Sequence, residues 1–342
     1  MKTTYNRRRF IRTASAAGMG MGVITKFTGP VFAACAPQAG KRVGIIGLDT
    51  SHSVAFARAM NDKGASSALR GYRVVAAYPH GSKDIESSVS RIPRYTKEVL
   101  ELGVEITGSV DQLLDKVDVV LLETNDGRLH LQQALAVFRA GKTVFIDKPI
   151  AASLADALAI FEAAEKYRVP VFSASSLRYI NHAQEVRDGK IGNVLGAHAF
   201  SPAIIEKTHP DLFWYGVHGV EMLFTVMGTG CKTVSRIHTE GTDLVIGVWE
   251  DGRIGTFRGT RTGKHEYGGT VHGEDGHLVL GPYQGYMPLL EQIAAFFETG
   301  KPPVSKEETL EIFAFMEAAD ESKRKNGAAV ALERVLKTAG RG

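Results

Sequence analysis

The sequence predicts an α/β protein in two parts: an N-terminal Rossmann-type parallel sheet domain, then a C-terminal α+β domain with a large, mostly antiparallel, open-faced sheet. Three observations carry this reading. From Lys41 to about 175, short apolar runs alternate with segments of helical period, as in a doubly wound sheet whose strands are buried on both faces. From 176 onward the apolar runs alternate with polar residues and break at glycines, as antiparallel strands with one solvated face do. Residues 1–40 follow neither pattern and read as a leader.

Lys41-Arg42-Val43-Gly44-Ile45-Ile46-Gly47 is the first strand, turning at a glycine, and 54–60 has helical character. Residues 73–78 and 117–122 are two more buried strands. Leu131, Ala134, Leu135 and Phe138 fall at i, i+3, i+4 and i+7 of a helix that Gly141 ends, and 143–147 completes a βαβ unit. Pro149 fixes φ and stops that strand, leaving Asp147 and Lys148 at its carboxyl rim, the edge where open α/β sheets hold ligands. Ser153-Leu154-Ala155-Asp156 is a capping-box-like helix start, and 169–172 is the last strand of the domain. In the second domain, 176–342, strands are expected over 234–238, 243–248, 252–258, 270–273 and 278–280. Amphipathic helices over 288–299 and 307–325 are expected to pack back onto the domain interface.

Asn6-Arg7-Arg8-Arg9-Phe10-Ile11-Arg12, followed by an Ala- and Gly-rich stretch to about Phe32, matches a twin-arginine export signal. The twin-arginine translocase is therefore an expected partner and the periplasm the expected compartment. Phe32-Ala33-Ala34-Cys35 is close to a lipobox, so a lipid anchor at Cys35 and a soluble periplasmic product both stay open. Of the 41 Lys and Arg residues, six lie in 1–40 with no Asp or Glu, leaving 35 basic against 37 acidic residues. The basic charge thus belongs to the leader, and no nucleic-acid partner is implied. With only Cys35 and Cys231 present, no disulfide is expected in the mature domains if cleavage falls after Cys35. No metal is expected: His209-Pro210-Asp211 and the His218/Glu221 pair could supply ligands, but neither HExxH nor paired-cysteine spacing occurs.

Ala140-Gly141-Lys142-Thr143-Val144 leading to Asp147-Lys148-Pro149, together with Gly216-Val217-His218-Gly219-Val220-Glu221, resembles the glucose-fructose oxidoreductase, inositol dehydrogenase and rhizopine-catabolism (Gfo/Idh/MocA) family. Arg178 and Lys190-Ile191-Gly192 are supporting matches, and the resemblance runs from Lys41 to the C-terminus. It implies NAD or NADP as cofactor and a sugar or cyclitol substrate, with Lys148 polarising the reacting oxygen and His218 exchanging its proton. It also implies that the open sheet face serves subunit contact in a homo-oligomer. The chemistry is sensible on its own terms. Oxidising a secondary alcohol requires the hydroxyl proton to leave, which suits an imidazole, while an ammonium stabilises the developing alkoxide. Glu221, three residues after His218, is expected to orient the ring.

The chain departs from the dinucleotide fingerprint G-x-G-x-x-G, reading Gly47-Leu48-Asp49-Thr50-Ser51-His52. Either Asp49 or Thr50 caps the helix while Ser51 and His52 donate to the phosphates, or the pyrophosphate site is lost. At the second strand's end the ribose-binding carboxylate is missing, and Ser82 with Lys83 suits a 2′-phosphate better than a free hydroxyl. The fourth strand exits through Glu123-Thr124-Asn125-Asp126 toward His130 in place of the family's Thr-Pro-Asn turn, placing Asn125, Asp126 and His130 at the cofactor edge. The aspartate usual four residues before the family's histidine is Trp214, suited to stacking on a sugar face. Arg178, His209, Trp214, Tyr215 and Glu221, with Tyr179, Asn181, Glu206, Asp211, His265 and Tyr267, complete the candidate substrate pocket. Export of a folded enzyme to a compartment poor in free nicotinamide nucleotide favours a tightly bound cofactor regenerated within each cycle. The expected function is an exported NAD(P)-dependent oxidoreductase. The alternatives are a redox-neutral glycosidase or lyase using the same cofactor, and a carbohydrate-binding or scaffold protein that has lost it.

Overall fold

The computed structural model describes residues 41–340; the leader, with the export and lipid-anchor expectations, lies outside them. Six parallel strands form the first sheet: β1 Arg42–Ile46, β2 Arg73–Tyr78, β3 Glu105–Ile106, β4 Val119–Leu122, β5 Thr143–Asp147 and β6 Val171–Ala174, in the order β3-β2-β1-β4-β5-β6. β4 and β6 are buried at every residue, the signature of strands covered on both faces. The connections diverge between β1 and β4, which opens a crevice at the carboxyl edge there. Gly47 has φ +92°, and a Cβ there would lie 2.6 Å from the backbone of Thr124, so the β1 and β4 exits approach too closely for any side chain.

Helices α1 (Ser51–Asn61), α2 (Gly127–Arg139) and α3 (Leu154–Tyr167) cover this sheet. As expected, Gly141 follows the second of these with φ +66°, and the Ser153 hydroxyl accepts from the Asp156 N–H at 3.0 Å.

The second sheet has seven strands: β7 Val194–Pro202, β8 Cys231–His238, β9 Thr242–Trp249, β10 Ile254–Thr260, β11 Gly268–Gly273, β12 Gly276–Leu280 and β13 Val330–Ala331, in the order β12-β11-β7-β10-β9-β8-β13. Every pairing is antiparallel except β7 with β10. Helix α4 (Val217–Met227) is buried along its whole length, packed on β7 and β10 of this sheet and against the turn at 176–179 that follows β6. Helix α6 (Lys306–Arg324) covers β8. The other face is open, with Ile237, Val248, Ile254 and Val279 exposed on it. Helix α5 (Met287–Thr299) goes further than the sequence suggests: Leu289, Leu290, Ile293, Phe296 and Phe297 enter the core under the first sheet beside Val43, Phe145 and Phe172. The chain thus returns to finish the hydrophobic core of its own N-terminal domain. Among the described residues no helix is long and apolar enough to cross a membrane.

Candidate active site

A cavity of about 510 Å³ opens where the carboxyl edge of the first sheet meets α4 and the loops of the second domain. The end of strand β5 delivers Lys148 to it, followed by a cis Lys148–Pro149 peptide, and the start of α4 delivers His218. These side chains are buried, 7% and 5% exposed, yet both line the cavity. The His218 Nδ1 lies 2.7 Å from the Ser175 hydroxyl, which also accepts from the Leu177 N–H at 3.0 Å. The ring is thereby fixed with Nε2 as its free nitrogen. Burial, then the charges of Lys148 and His52, push the His218 pKa well below the ordinary histidine value, so the ring is neutral near pH 7.

Glu221 does not orient that ring directly. Its carboxylate accepts from the Ser175 N–H at 2.8 Å and from Arg178 Nε at 2.9 Å, so it positions the serine that positions the histidine. Arg178, expected on the substrate, is 1% exposed and is clamped between Glu221 and Glu308, whose carboxylate lies 2.6 Å from Nη2. Neither Arg178 nor Glu221 lines the cavity. The local reason is that both lie on the inner faces of packed elements, where an unpaired charge would be costly and a paired one is held rigidly. His209 also faces away from the cavity. Its ring packs on Trp214 with centroids 4.9 Å apart and its Nε2 stands 3.5 Å from Asp126. Trp214 and Tyr215 line the cavity as expected, as do Glu206, His265 and Tyr267.

On the cofactor side, Asp49 neither caps α1 nor faces the phosphate position. Its oxygens accept from the backbone N–H groups of Ser82 at 3.1 Å and Asn125 at 2.9 Å, joining the β1, β2 and β4 exits. A Cβ on Gly81 would fall 2.0 Å from this carboxylate, so glycine is required where the β2 loop passes it. Burial raises the Asp49 pKa, with those two hydrogen bonds opposing. Because Asp49 turns inward, the α1 N-terminus is left clear: Thr50 caps it, and Thr50, Ser51 and His52 line the cavity. A helix N-terminus is a natural phosphate seat.

The remaining expected contacts divide. Asn125 lines the cavity. Ser82 is buried and donates to Asp126 at 2.9 Å or Asp84 at 3.0 Å, so its hydroxyl is spent on carboxylates. Lys83 is exposed and outside the cavity, and so the expected Ser82/Lys83 phosphate site is not assembled. Ser87 and Arg91 line the cavity instead. Asp126 is held by Ser82 and Arg128. The His130 ring bridges the carbonyls of Thr124 and Ile150, tying the β4 and β5 exits together. Asp147 and Pro149 shape the β5 rim from below without lining the cavity.

Sequence reasoning missed Ser175, Ser176, Tyr283 and Tyr286. Ser175 was within reach, since it follows β6 as Lys148 follows β5. The tyrosines come from the loop before α5, which no local signal ties to the first domain.

Residues 41–175 match the family described as oxidoreductases with an NAD-binding Rossmann fold, Gfo/Idh/MocA. An uncharacterized oxidoreductase of Streptococcus pneumoniae is 32% identical over 120 residues, which are 33% of this chain and 32% of that protein, so the chain matches about a third of this relative's length. The 1,5-anhydro-D-fructose reductase of Ensifer adhaerens is 27% identical over 245 residues, 63% of this chain and 73% of that one. Among solved structures, a probable dehydrogenase from Thermotoga maritima superposes with a TM-score of 0.70 at 20% identity, covering 86% of this chain and 99% of that one. The myo-inositol dehydrogenase of Lactobacillus casei, solved with NAD(H) and myo-inositol, superposes with a TM-score of 0.67 at 17% identity, covering 85% and 96%. Residues 41–175 are thus similar to the NAD-binding Rossmann domain of the Gfo/Idh/MocA oxidoreductases, and the fold of the described chain agrees with those solved structures.

Proposed function

We propose that the protein is an NAD(P)-dependent oxidoreductase acting on a secondary alcohol of a sugar or cyclitol. The observation that carries this reading is that Lys148 and a neutral, Ser175-anchored His218 face one cavity beside the unobstructed N-terminus of α1. The residues present fit a dinucleotide. Thr50, Ser51 and His52 offer the helix start to the pyrophosphate, and Asn125, Ser87 and Arg91 line the same wall. When bound, the nicotinamide supplies the hydride acceptor or donor. The protein's part is acid–base and electrostatic. His218 Nε2 takes the hydroxyl proton as the alcohol is oxidised and returns it on reduction, while the Lys148 ammonium stabilises the alkoxide in between. Tyr215, Tyr267, Tyr283, Tyr286 and Trp214 offer ring faces and hydroxyls to a polyol. Burial raises the Tyr267 and Tyr283 pKa values, keeping both hydroxyls as donors.

The names of the relatives, an anhydrofructose reductase and inositol dehydrogenases, support this substrate class. The leader motif supports twin-arginine export to the periplasm and, with it, a retained cofactor. The open sheet face, where Ile237 pairs with Leu244 and Val248 with Ile254, supports a homo-oligomer. A redox-neutral lyase or glycosidase is a second reading, favoured by His265 and Glu206, which also line the cavity. The test is to denature the purified protein and identify released nucleotide by mass spectrometry. Stoichiometric NAD or NADP is expected. No nucleotide, and no uptake of either on addition, would overturn the redox reading in favour of a binding protein.

A further inference from the structure

Below the cavity floor, three side chains from separate elements converge. His52 comes from the first turn of α1, Glu123 follows β4, and Asp147 ends β5. One ligand-type atom of each lies within 4.8 Å of the others. Glu123 and Asp147 are 0% exposed, and His52, at 6%, reaches the cavity wall. Neither oxygen of Glu123 has a hydrogen-bond partner. The two Asp147 side-chain oxygens and His52 Nδ1 also make no aligned hydrogen bond, although Nδ1 stands 2.9 Å from Asp147 Oδ2. The His52 ring is held in place by Phe56 and Tyr286, with centroids 5.7 and 4.7 Å away.

A buried carboxyl group with no partner is a rare and costly arrangement, and two of them side by side cannot both ionise unless a cation lies between them. The dinucleotide is not that partner, because Glu123 and Asp147 do not line the cavity. A proton on one carboxyl and an Nδ1–H turned toward Asp147 would serve two of these atoms and leave the remaining carboxylate oxygens unmatched. A metal dication would satisfy an oxygen of each carboxylate and the nitrogen together. Ligands on one such ion, at about 2.1 Å each, lie about 3–4 Å apart, so the observed set closes with shifts of about 1 Å or less. One imidazole with two carboxylates is a donor set that suits zinc, manganese or iron(II).

We propose that His52, Glu123 and Asp147 bind one divalent first-row metal cation, which enters from the cavity past His52. Lys148 Nζ, 3.9 Å from Asp147 Oδ2, shares that carboxylate from the other side, so the ion and the ammonium compete for it. Metal uptake does not require bound nucleotide, although His52 also belongs to the wall offered to the pyrophosphate, and neither sequence motif weighed for metal binding includes these residues.

The test is to strip the purified full-length chain with a chelator and titrate it with Zn²⁺ and with Mn²⁺ by calorimetry, counting bound metal by mass spectrometry. The expected result is one ion per chain for at least one of the two metals, with affinity falling at least about 10-fold in both Glu123→Gln and Asp147→Asn. These substitutions keep side-chain shape, and circular dichroism checks that each variant is folded. Absence of uptake by the wild-type chain overturns the proposal. So does uptake that is unchanged in both folded variants, since that would place the ion elsewhere on the chain.

Discussion

The chain buries two charge clusters built to opposite rules. Around β8, Arg236 has its side chain fully buried and donates from all three guanidinium nitrogens to carboxylates: Nε to Asp243 at 2.8 Å, Nη2 to Asp211 at 2.9 Å, and Nη1 to Asp320. Lys323, His238 and Arg261 complete the pairing of Asp211 and Asp243. Asp211, counted from sequence among the pocket residues, therefore belongs to the scaffold. At the carboxyl edge of the first sheet, Glu123, Asp147, His52 and Lys148 lie together with four carboxylate oxygens lacking aligned hydrogen bonds. Burial and then the charge of Asp147 push Glu123 well above the ordinary carboxylate range. Asp147 itself is held low by His52 and Lys148 against its own burial. The difference teaches that buried charge alone does not mark function. Satisfied charge fixes geometry, while unsatisfied charge beside a cavity is where ligands and protons have room to act.

The sharpest test of that contrast is Arg236→Met. It strands several buried carboxylates and is expected to cost about 3–5 kcal/mol in urea unfolding. Glu123→Gln is expected to change stability by under about 1 kcal/mol. Comparable losses in the two variants would erase the distinction.

His218→Asn is expected to lower turnover by about 10²–10⁴-fold with the variant still folded by circular dichroism. A variant that keeps full turnover would remove the histidine from the chemistry.

Glu221→Gln retains an acceptor for the Ser175 N–H but weakens the hold on Arg178. We expect roughly a tenfold drop in kcat with KM little changed, an order of magnitude chosen for a positioning residue acting through Ser175. A rise in KM alone would show that Glu221 acts on substrate binding instead.

The pH profile sharpens the same site. His218 has an ordinary value of 6.5, and burial with the charges of Lys148 and His52 depresses it in the folded state. In the alcohol-oxidation direction the neutral ring must accept a proton, so the acid limb of kcat/KM should lie below pH 6.5. It should move up in Lys148→Met as the like charge is removed. The unfolded chain takes up a proton at this histidine near 6.5 and the folded chain does not. This residue's contribution to stability is therefore present above 6.5 and is lost as pH falls from there toward the folded value. An acid limb that stays put in the Lys148→Met variant would separate the two groups electrostatically.

The smallest energetic effect is expected from Ile254→Glu on the open face, half exposed in the single chain. On the proposed homo-oligomer it should lower the mass seen in light scattering while leaving stability within about 0.5 kcal/mol. An unchanged mass would remove this face from the proposed subunit contact.

The local rules of the chain were legible. Apolar runs of strand length, the Ser153 cap, the Gly141 stop and the Pro149 break fixed the strand–helix alternation and brought Lys148 to a ligand-binding rim. The strands not expected from the sequence are β7, the first residues of β8, and the two-residue strands β3 and β13, which are too short to carry a period of their own. The recognition motifs located His218 as well. What sequence left open was the direction in which each polar side chain turns. Asp49 clasps two neighbouring loops, Glu221 grips Ser175 and Arg178, and His130 spans two carbonyls, all because of strands adjacent in the sheet and distant in the chain. Periodicity, caps and breaks act over a few residues and so can be read in sequence. Hydrogen-bond and ion-pair partners are chosen by sheet order and by the return of α5 to the first domain, which only the tertiary structure decides.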